Sequence, residues 1–233
     1  MIVNTRPKEI GEKTNSLLIN LKCNFIHLPL TEIKKFEPPA AAKILLDKLG
    51  NYDAVIFTSQ SAVKFGIKFF KEKFEAAEYI PIISIGLATQ SCLNELGISS
   101  DVPKTFNSEG ISNLIKKRAY RKCLVFCGDK SPQLISMTDA EIDIFPCYKS
   151  HDKKNVDFKR IKKLDGSVIL IYTHQSLEIL VKNLTTSEME KIILICASER
   201  ILKLALNYSF EDCVLAESAL DKHILDAAIQ MIK

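Results

Sequence analysis

Most of the short signatures that betray an enzyme's chemistry are missing from this 233-residue sequence. No GxGxxG or GxxxxGKS/T run is present, so the glycine loops that cradle nucleotide phosphates find no support. There is no GxSxG turn either, which argues against the nucleophile elbow of the α/β-hydrolases. Seven cysteines (Cys23, Cys92, Cys123, Cys127, Cys147, Cys196 and Cys213) form no CxxC pair, and no His/Cys cluster shows metal-ligand spacing. Neither a metal nor an organic cofactor is therefore expected. No apolar run approaches the ~18 residues that a membrane-spanning helix needs. Tryptophan is absent, an omission that excludes nothing.

What is present is an ordinary soluble composition, 47% apolar and 26% charged, in a chain long enough for one large domain or two small ones. The net charge of +4 is mild, and the densest basic runs, KKR at 116–118 and KRIKK at 159–163, read as solvated helix faces. No aromatic stacking platform accompanies them, so nucleic acid is not an expected partner, and neither is a membrane. A modest positive balance suits a small molecule rich in carboxylates or phosphates. The cysteines sit mostly in apolar runs such as CLVFC and LIC, where buried thiols are the expectation. Their odd number, these settings and the lack of a signal-peptide pattern point to a reducing cytoplasm.

Short strand-like runs alternate with helical patterns: MIVNT, NFIHLPL, AVIFT, PIISI, KCLVFC, EIDIFPCY, VILIYT, KIILIC and DCVLA. Such alternation predicts an α/β fold, parallel sheet covered by helices on both faces. Pro39 suits a first helical turn, and Gly97 a helix stop one place beyond SCLNEL. Two polar stretches break the rhythm, TEIKKFEPP after Leu28-Pro29-Leu30 and KSHDKKNVD after Pro146-Cys147-Tyr148. Read as linkers, they predict two lobes. Residues 1–29 with 151–233 would form one, discontinuous in sequence, and residues 35–146 the other, with hinge segments at about 29–34 and 146–150.

One unit is repeated. AVIF leads into Thr58-Ser59-Gln60-Ser61 and the amphipathic AVKFGIKFF; VILIY leads into Thr173-His174-Gln175-Ser176 and LEILVKNL. ISIGLATQSCLNELG and ILICASERILKLALN make a second matching pair in the same order, which favours duplication. Each copy reads as a buried strand, a turn and a helix start, whose free backbone N–H groups favour anionic oxygen. Ligands of open parallel sheets bind at the carboxyl edge of the strands. The turns there supply candidate contacts: Arg6, Thr58, Ser59, Gln60, Ser61, Gly86, Ala88, Thr89, Gly128 with Asp129, Lys130 and Ser131, Thr173, Gln175, Ser176 and Ser198. A single Ser or Thr at such a turn is commonly only a helix cap, worth roughly 1 kcal/mol. Turns spread over two lobes favour a shared cleft for one polyanionic ligand. His174 is the one histidine within such a turn; His27, His151 and His223 read as structural or solvated.

Taken in order, these segments resemble the uroporphyrinogen-III synthase family. The matching pieces are NTRP, LPL, YDAVIFTSQSAV, ISIGLATQSCLNELG, VPKTFNSEG, LVFCGD, PCYKS, LIYTHQS and LAES, with IFTSQSAV and IGLAT the most specific. The resemblance implies two doubly wound parallel-sheet lobes joined by a two-stranded hinge, working without metal or cofactor. The substrate it implies is hydroxymethylbilane, a chain of four pyrroles, each bearing one acetate and one propionate. A cytoplasmic monomer is expected, in transient contact with hydroxymethylbilane synthase. The implied reaction, a lyase step of heme biosynthesis, expels water, inverts the terminal ring and closes the macrocycle as uroporphyrinogen III.

Carried over by residue, Tyr148 of PCYKS matches a hinge tyrosine that assists departure of the hydroxyl. Ser59, Thr89 and Thr173 match cleft-facing hydroxyls, and Ser108 of FNSEG a further substrate contact. Two places depart from the family pattern. Cys196-Ala197-Ser198-Glu199-Arg200 stands where a Gly-Pro-Thr-Thr-like turn is usual, and Glu199 there would repel carboxylates. Pro132 replaces a frequent basic residue, with Lys130 or Arg200 as the available substitutes.

Two other readings suit the same fold, since fold does not fix function. One is a non-catalytic two-lobed sensor of small anions, which a fused DNA-binding segment would favour and Tyr148 disfavours. The other is a sugar-phosphate binder, opposed by the lack of Lys or Arg within the two hydroxyl turns.

Overall fold

The computed structural model describes residues 1–74, 80–130, 132–162 and 165–232. The chain divides into two compact units, Met1–Ile33 with His151–Lys233 (unit 1) and Lys34–Ser150 (unit 2). Each unit is an α/β layer structure around one five-stranded sheet.

With strands and helices numbered along the whole chain, unit 1 holds β1 (Ile2–Asn4), β2 (Phe25–His27), β8 (Val168–Ile171), β9 (Ile193–Cys196) and β10 (Asp212–Leu215). They lie in the order β10-β9-β8-β1-β2, and every neighbouring pair is parallel. All four residues of β8 are buried, as a central strand covered on both faces requires. Covering helices are α1 (Lys8–Asn20), α7 (His174–Asn183), α9 (Glu199–Ala205) and α10 (Asp221–Gln230), with the short α6 (Lys159–Lys162) and α8 (Thr186–Met189) between them. Local chemistry sets their starts: Thr173 caps α7, Ser198 caps α9, and Thr185 with Glu188 forms a capping box on α8.

Unit 2 holds β3 (Thr31–Lys35), β4 (Ala54–Phe57), β5 (Ile82–Ser84), β6 (Lys122–Gly128) and β7 (Glu141–Asp152), in the order β3-β7-β6-β4-β5. The β4–β5, β4–β6 and β6–β7 pairs are parallel. Its helices are α2 (Ala40–Leu46), α3 (Gln60–Phe74), α4 (Leu87–Asn94) and α5 (Ser108–Arg118). Alternation along β4 and β6 fills both faces of the sheet. Val55, Phe57, Leu124 and Phe126 join one apolar cluster, while Ala54, Ile56, Cys123 and Val125 join the other. In a chain without tryptophan, phenylalanine is the large core residue. Phe57 stacks on Phe126 at 4.8 Å, Phe126 lies 4.7 Å from Phe145, and Phe70 meets both Phe57 and Phe126 edge-on. Gly66 lets α3 press onto this layer, because a Cβ there would stand 2.6 Å from the Phe126 ring.

All nine strand-like runs form strands; α4 ends at Asn94 with Glu95 as its cap, earlier than a stop at Gly97 implies, and Gly97 takes φ +75°, the left-handed region glycine favours, in the turn that follows. The two polar stretches differ from the linker reading. Thr31 and Ile33 alternate inward, so TEIKK forms β3, and β7 continues through KSHD to Asp152. The unit boundaries fall inside these two strands.

Candidate active site

An irregularity in β7 sets the position of Tyr148. Pro146 stands in mid-strand and has no N–H to give a ladder. The register against β6 shifts there: Cys127 faces Pro146, Gly128 faces Tyr148, and Cys147 between them is unmatched. Bulges of this kind re-aim the side chains that follow. Cys147 turns inward and is fully buried, with its Sγ 3.4 Å from the Cys127 carbonyl and 3.6 Å from that of Ala62. Tyr148 is thereby set over the end of β6, against Gly128, where a Cβ would stand 3.2 Å from its ring. The Tyr148 Oη lies 3.0 Å from Ser59 Oγ.

Ser59 precedes α3, and its Oγ accepts the Ala62 N–H at 3.0 Å, the bond of a helix cap. With that lone pair engaged, the Ser59 hydroxyl can donate to Tyr148 Oη, leaving the phenol O–H to donate outward. The chain of donors starts at the positive end of a 15-residue helix, and each bond polarises the next. Burial pushes the Tyr148 phenol above its ordinary range, while the Ser59 bond pulls the other way. The phenol is therefore neutral, a donor at neutral pH.

The other expected residues of unit 2 are spent in different ways. Thr58 gives its hydroxyl to the Phe126 carbonyl at 3.0 Å and pins the turn to β6. Gln60 accepts from Cys92 Sγ at 3.6 Å, and Ser61 is buried in the first turn of α3. Gly86 occupies the cap position of α4, so Ala88 and the buried Thr89 lie inside the helix. Thr89 does not cap this helix. Ser108 is the first residue of α5, whose cap is Asn107 through a bond from the Gly110 N–H at 2.8 Å. Lys130 is exposed; Ser131 lies outside the described residues.

In unit 1 the Thr173 turn is built as a closed cap. Thr173 Oγ1 accepts from the Ser176 N–H at 3.1 Å and lies 2.9 Å from Ser176 Oγ, while Gln175 donates to Asp152 at 2.7 Å. His174 lies 3.5 Å from Glu178, one helical turn on. Ser198 caps α9 through Ile201 N–H at 3.4 Å, and Glu199 pairs with Lys203 at 4.0 Å along the same helix.

Arg6 is placed differently from an open anion clamp. It is 3% exposed, its Nη1 lies 3.0 Å from Asp221 at the start of α10, and its guanidinium covers the Tyr172 ring at 3.7 Å. Thr14 donates to Asp221 at 2.8 Å, and the Tyr172 hydroxyl donates to the same Asp221 oxygen at 3.3 Å. His27 lies 2.9 Å from the Arg6 carbonyl and 2.9 Å from Asn15. Gly11 makes room for that imidazole, since a Cβ would meet Nε2 at 2.6 Å. This network ties β1, α1, α10 and the residue before the Thr173 turn together. Sequence reading missed Asp221 and Tyr172; the acidic residue opening the helix after LAES was the available signal.

The thiols offer no nucleophile near Tyr148. Burial pushes Cys123 and Cys127 up to about 12 and raises Cys147 further, so all three are protonated thiols. In unit 1 Cys196 hydrogen-bonds to Cys213, which raises the Cys196 thiol and lowers Cys213. Among the described residues no group of His, Cys, Asp and Glu is arranged to hold a metal ion, and no helix is long and apolar enough to cross a membrane.

A family model described as uroporphyrinogen-III synthase HemD matches residues 12–226. The chain belongs to the uroporphyrinogen-III synthase family. The family match takes in Ser59, Gly128, Tyr148, Thr173 and Asp221 and begins after Arg6. A putative uroporphyrinogen-III synthase of Archaeoglobus fulgidus is 31% identical over 70 residues, a match spanning 30% of this chain and only 31% of that relative's length. Two solved structures share the fold end to end. A mutant uroporphyrinogen III synthase of Thermus thermophilus has a TM-score of 0.61 at 12% identity, covering 99% of this chain and 98% of that one. The uroporphyrinogen-III synthetase of Helicobacter pylori has a TM-score of 0.59 at 14% identity, with the same coverage. At such identity the likeness is one of fold.

Proposed function

We propose that this chain is a uroporphyrinogen-III synthase, a lyase that converts hydroxymethylbilane into uroporphyrinogen III and water. The Tyr148–Ser59 pair carries the reading: a neutral phenol, backed by a second hydroxyl and a helix start, at the carboxyl edge of a parallel sheet. Tyr148 would give its proton to the hydroxymethyl oxygen as that C–O bond breaks, and Ser59 would steady the developing phenolate. Water departs, the N–H of the same pyrrole ring gives up its proton to restore the phenol, and the bilane becomes an azafulvene. Attack through the substituted carbon of the last ring forms a spiro intermediate, which fragments and recloses with that ring inverted. Substrate and product differ by one water, so no electrons enter or leave.

Unassisted closure of the same bilane gives the type I isomer. The enzyme's larger task is conformational, holding the acetates and propionates so that the easier closure is blocked. Helix starts suit it, because each charge-assisted bond to a carboxylate contributes roughly 1.5–3 kcal/mol. Those of α3, α4 and α5 in unit 2 are the candidates, with Gly128 giving Tyr148 its place. Positioning of this kind supplies several kcal/mol without a covalent intermediate on the protein. The enzyme would act as a cytoplasmic monomer, taking its substrate from hydroxymethylbilane synthase.

The test is to give chelator-treated, folded protein freshly generated hydroxymethylbilane and separate the product isomers. Type III product supports the reading, and type I alone overturns it.

A further inference from the structure

We propose that Phe106 is a substrate contact, an aromatic platform for one pyrrole ring of the bilane; this rests on the synthase reading above. Phenylalanine is the core residue of unit 2, where Phe57, Phe70, Phe126 and Phe145 are all fully buried. Phe106 is 43% exposed. A single exposed apolar side chain needs no explanation by itself. The way this one is seated does.

Two glycines at two helix starts hold the Thr105–Phe106 segment. Gly86, the cap residue of α4, has φ −175°, extended backbone open to any residue. What glycine supplies there is space: a Cβ would stand 3.1 Å from Phe106 Cβ and 3.3 Å from Cγ, so the Phe106 side chain would have to shift by a few tenths of an ångström. Gly110, in the first turn of α5, makes room in the same way for the Thr105 carbonyl, which a Cβ would overlap. The Asn107 N–H closes the turn onto Thr105 O at 2.9 Å, and the Asn107 side chain caps α5. The base of the Phe106 side chain is thus packed against Gly86, the cap residue of α4, and Phe106 adjoins Asn107, the cap residue of α5.

That setting matches one substituted pyrrole. An aromatic face held rigid can stack with an electron-rich ring at low entropic cost. Two helix starts beside it favour the carboxylates that each ring carries. Lys104, two residues earlier, is exposed and has no ion-pair partner among the described residues. Stacking holds any of the four rings alike; the carboxylates decide which one sits here.

The test measures initial rates of type III formation against hydroxymethylbilane concentration for wild type, Phe106→Ala, Phe106→Leu and Phe106→Tyr. Loss of one stacked ring corresponds to an about tenfold rise in KM for Phe106→Ala. Phe106→Tyr should restore the wild-type KM, with Phe106→Leu between. Gly86→Ala, which displaces the ring without removing it, should raise KM as well. Melting temperature is recorded for each: the Phe106 variants change a partly exposed side chain and should move it little, whereas Gly86→Ala adds a Cβ at a buried glycine and should lower it. A Phe106→Ala KM within twofold of wild type, or an equal loss in Phe106→Tyr, overturns the platform while the synthase reading stands. Wild-type protein that yields only type I removes the reading and the platform together.

Discussion

The phenol oxygen of Tyr148 and the hydroxyl of Ser59 lie 3.0 Å apart, although 89 residues separate them in sequence. The contact exists because the β6–β7 register shifts between Cys127 and Gly128, beside Pro146, and Ser59 caps α3. It makes the tyrosine the end of a donor chain that begins at a helix N-terminus. Tyr148→Phe keeps the ring and removes only that donor. General-acid assistance typically contributes about 10²–10⁴-fold, and a substrate that ionises readily once held calls for the lower end. Type III formation should fall at least several-fold while the melting temperature barely moves. Wild-type turnover in Tyr148→Phe would leave the residue a packing group.

Ser59 has two jobs that one pair of variants separates. Ser59→Ala removes the cap, costing about 1 kcal/mol of stability, and removes the donor to Tyr148. Ser59→Thr keeps the hydroxyl and should recover most of both losses. The pH profile distinguishes the donor from the cap. Burial holds the Tyr148 phenol above its ordinary pKa near 10, so its ionisation should not depress the rate below about pH 10. Because the Ser59 bond lowers that pKa, Ser59→Ala should move the alkaline limb higher. A limb that moved lower would contradict the donor chain.

The Arg6–Asp221 pair is a strut of unit 1, with both groups at most 10% exposed. Removing one partner of a buried pair leaves an uncompensated charge, at a cost of about 3–5 kcal/mol. Asp221→Ala should lose stability on that scale in denaturant unfolding. Replacing both groups, Arg6→Met with Asp221→Leu, should recover most of it. If the two single losses simply added, the groups would not be acting as a pair.

Much of the fold was legible because central parallel strands announce themselves. AVIF, CLVFC and VILI are continuous apolar runs, and all lie buried. The edge strand at Thr31–Lys35 hid behind its lysines, since one half-covered face carries little apolar signal. Helix caps at Ser59, Thr173 and Ser198 followed from local chemistry. Arg6 did not: a cation at a strand end reads as a clamp until its partner is known, and Asp221 stands 215 residues away in sequence. The bulge that aims Tyr148 was half visible in Pro146, but the register shift depends on β6, which no local pattern specifies.

The most direct measurement follows the isomer composition of the product as enzyme is titrated against fresh hydroxymethylbilane. Spontaneous closure competes throughout, so the type I fraction reports what escapes the protein. The expected result is a product that passes from type I to almost wholly type III as enzyme rises, with Tyr148→Phe needing more protein for the same crossover. Type I product at every concentration of folded enzyme would contradict the proposed function outright.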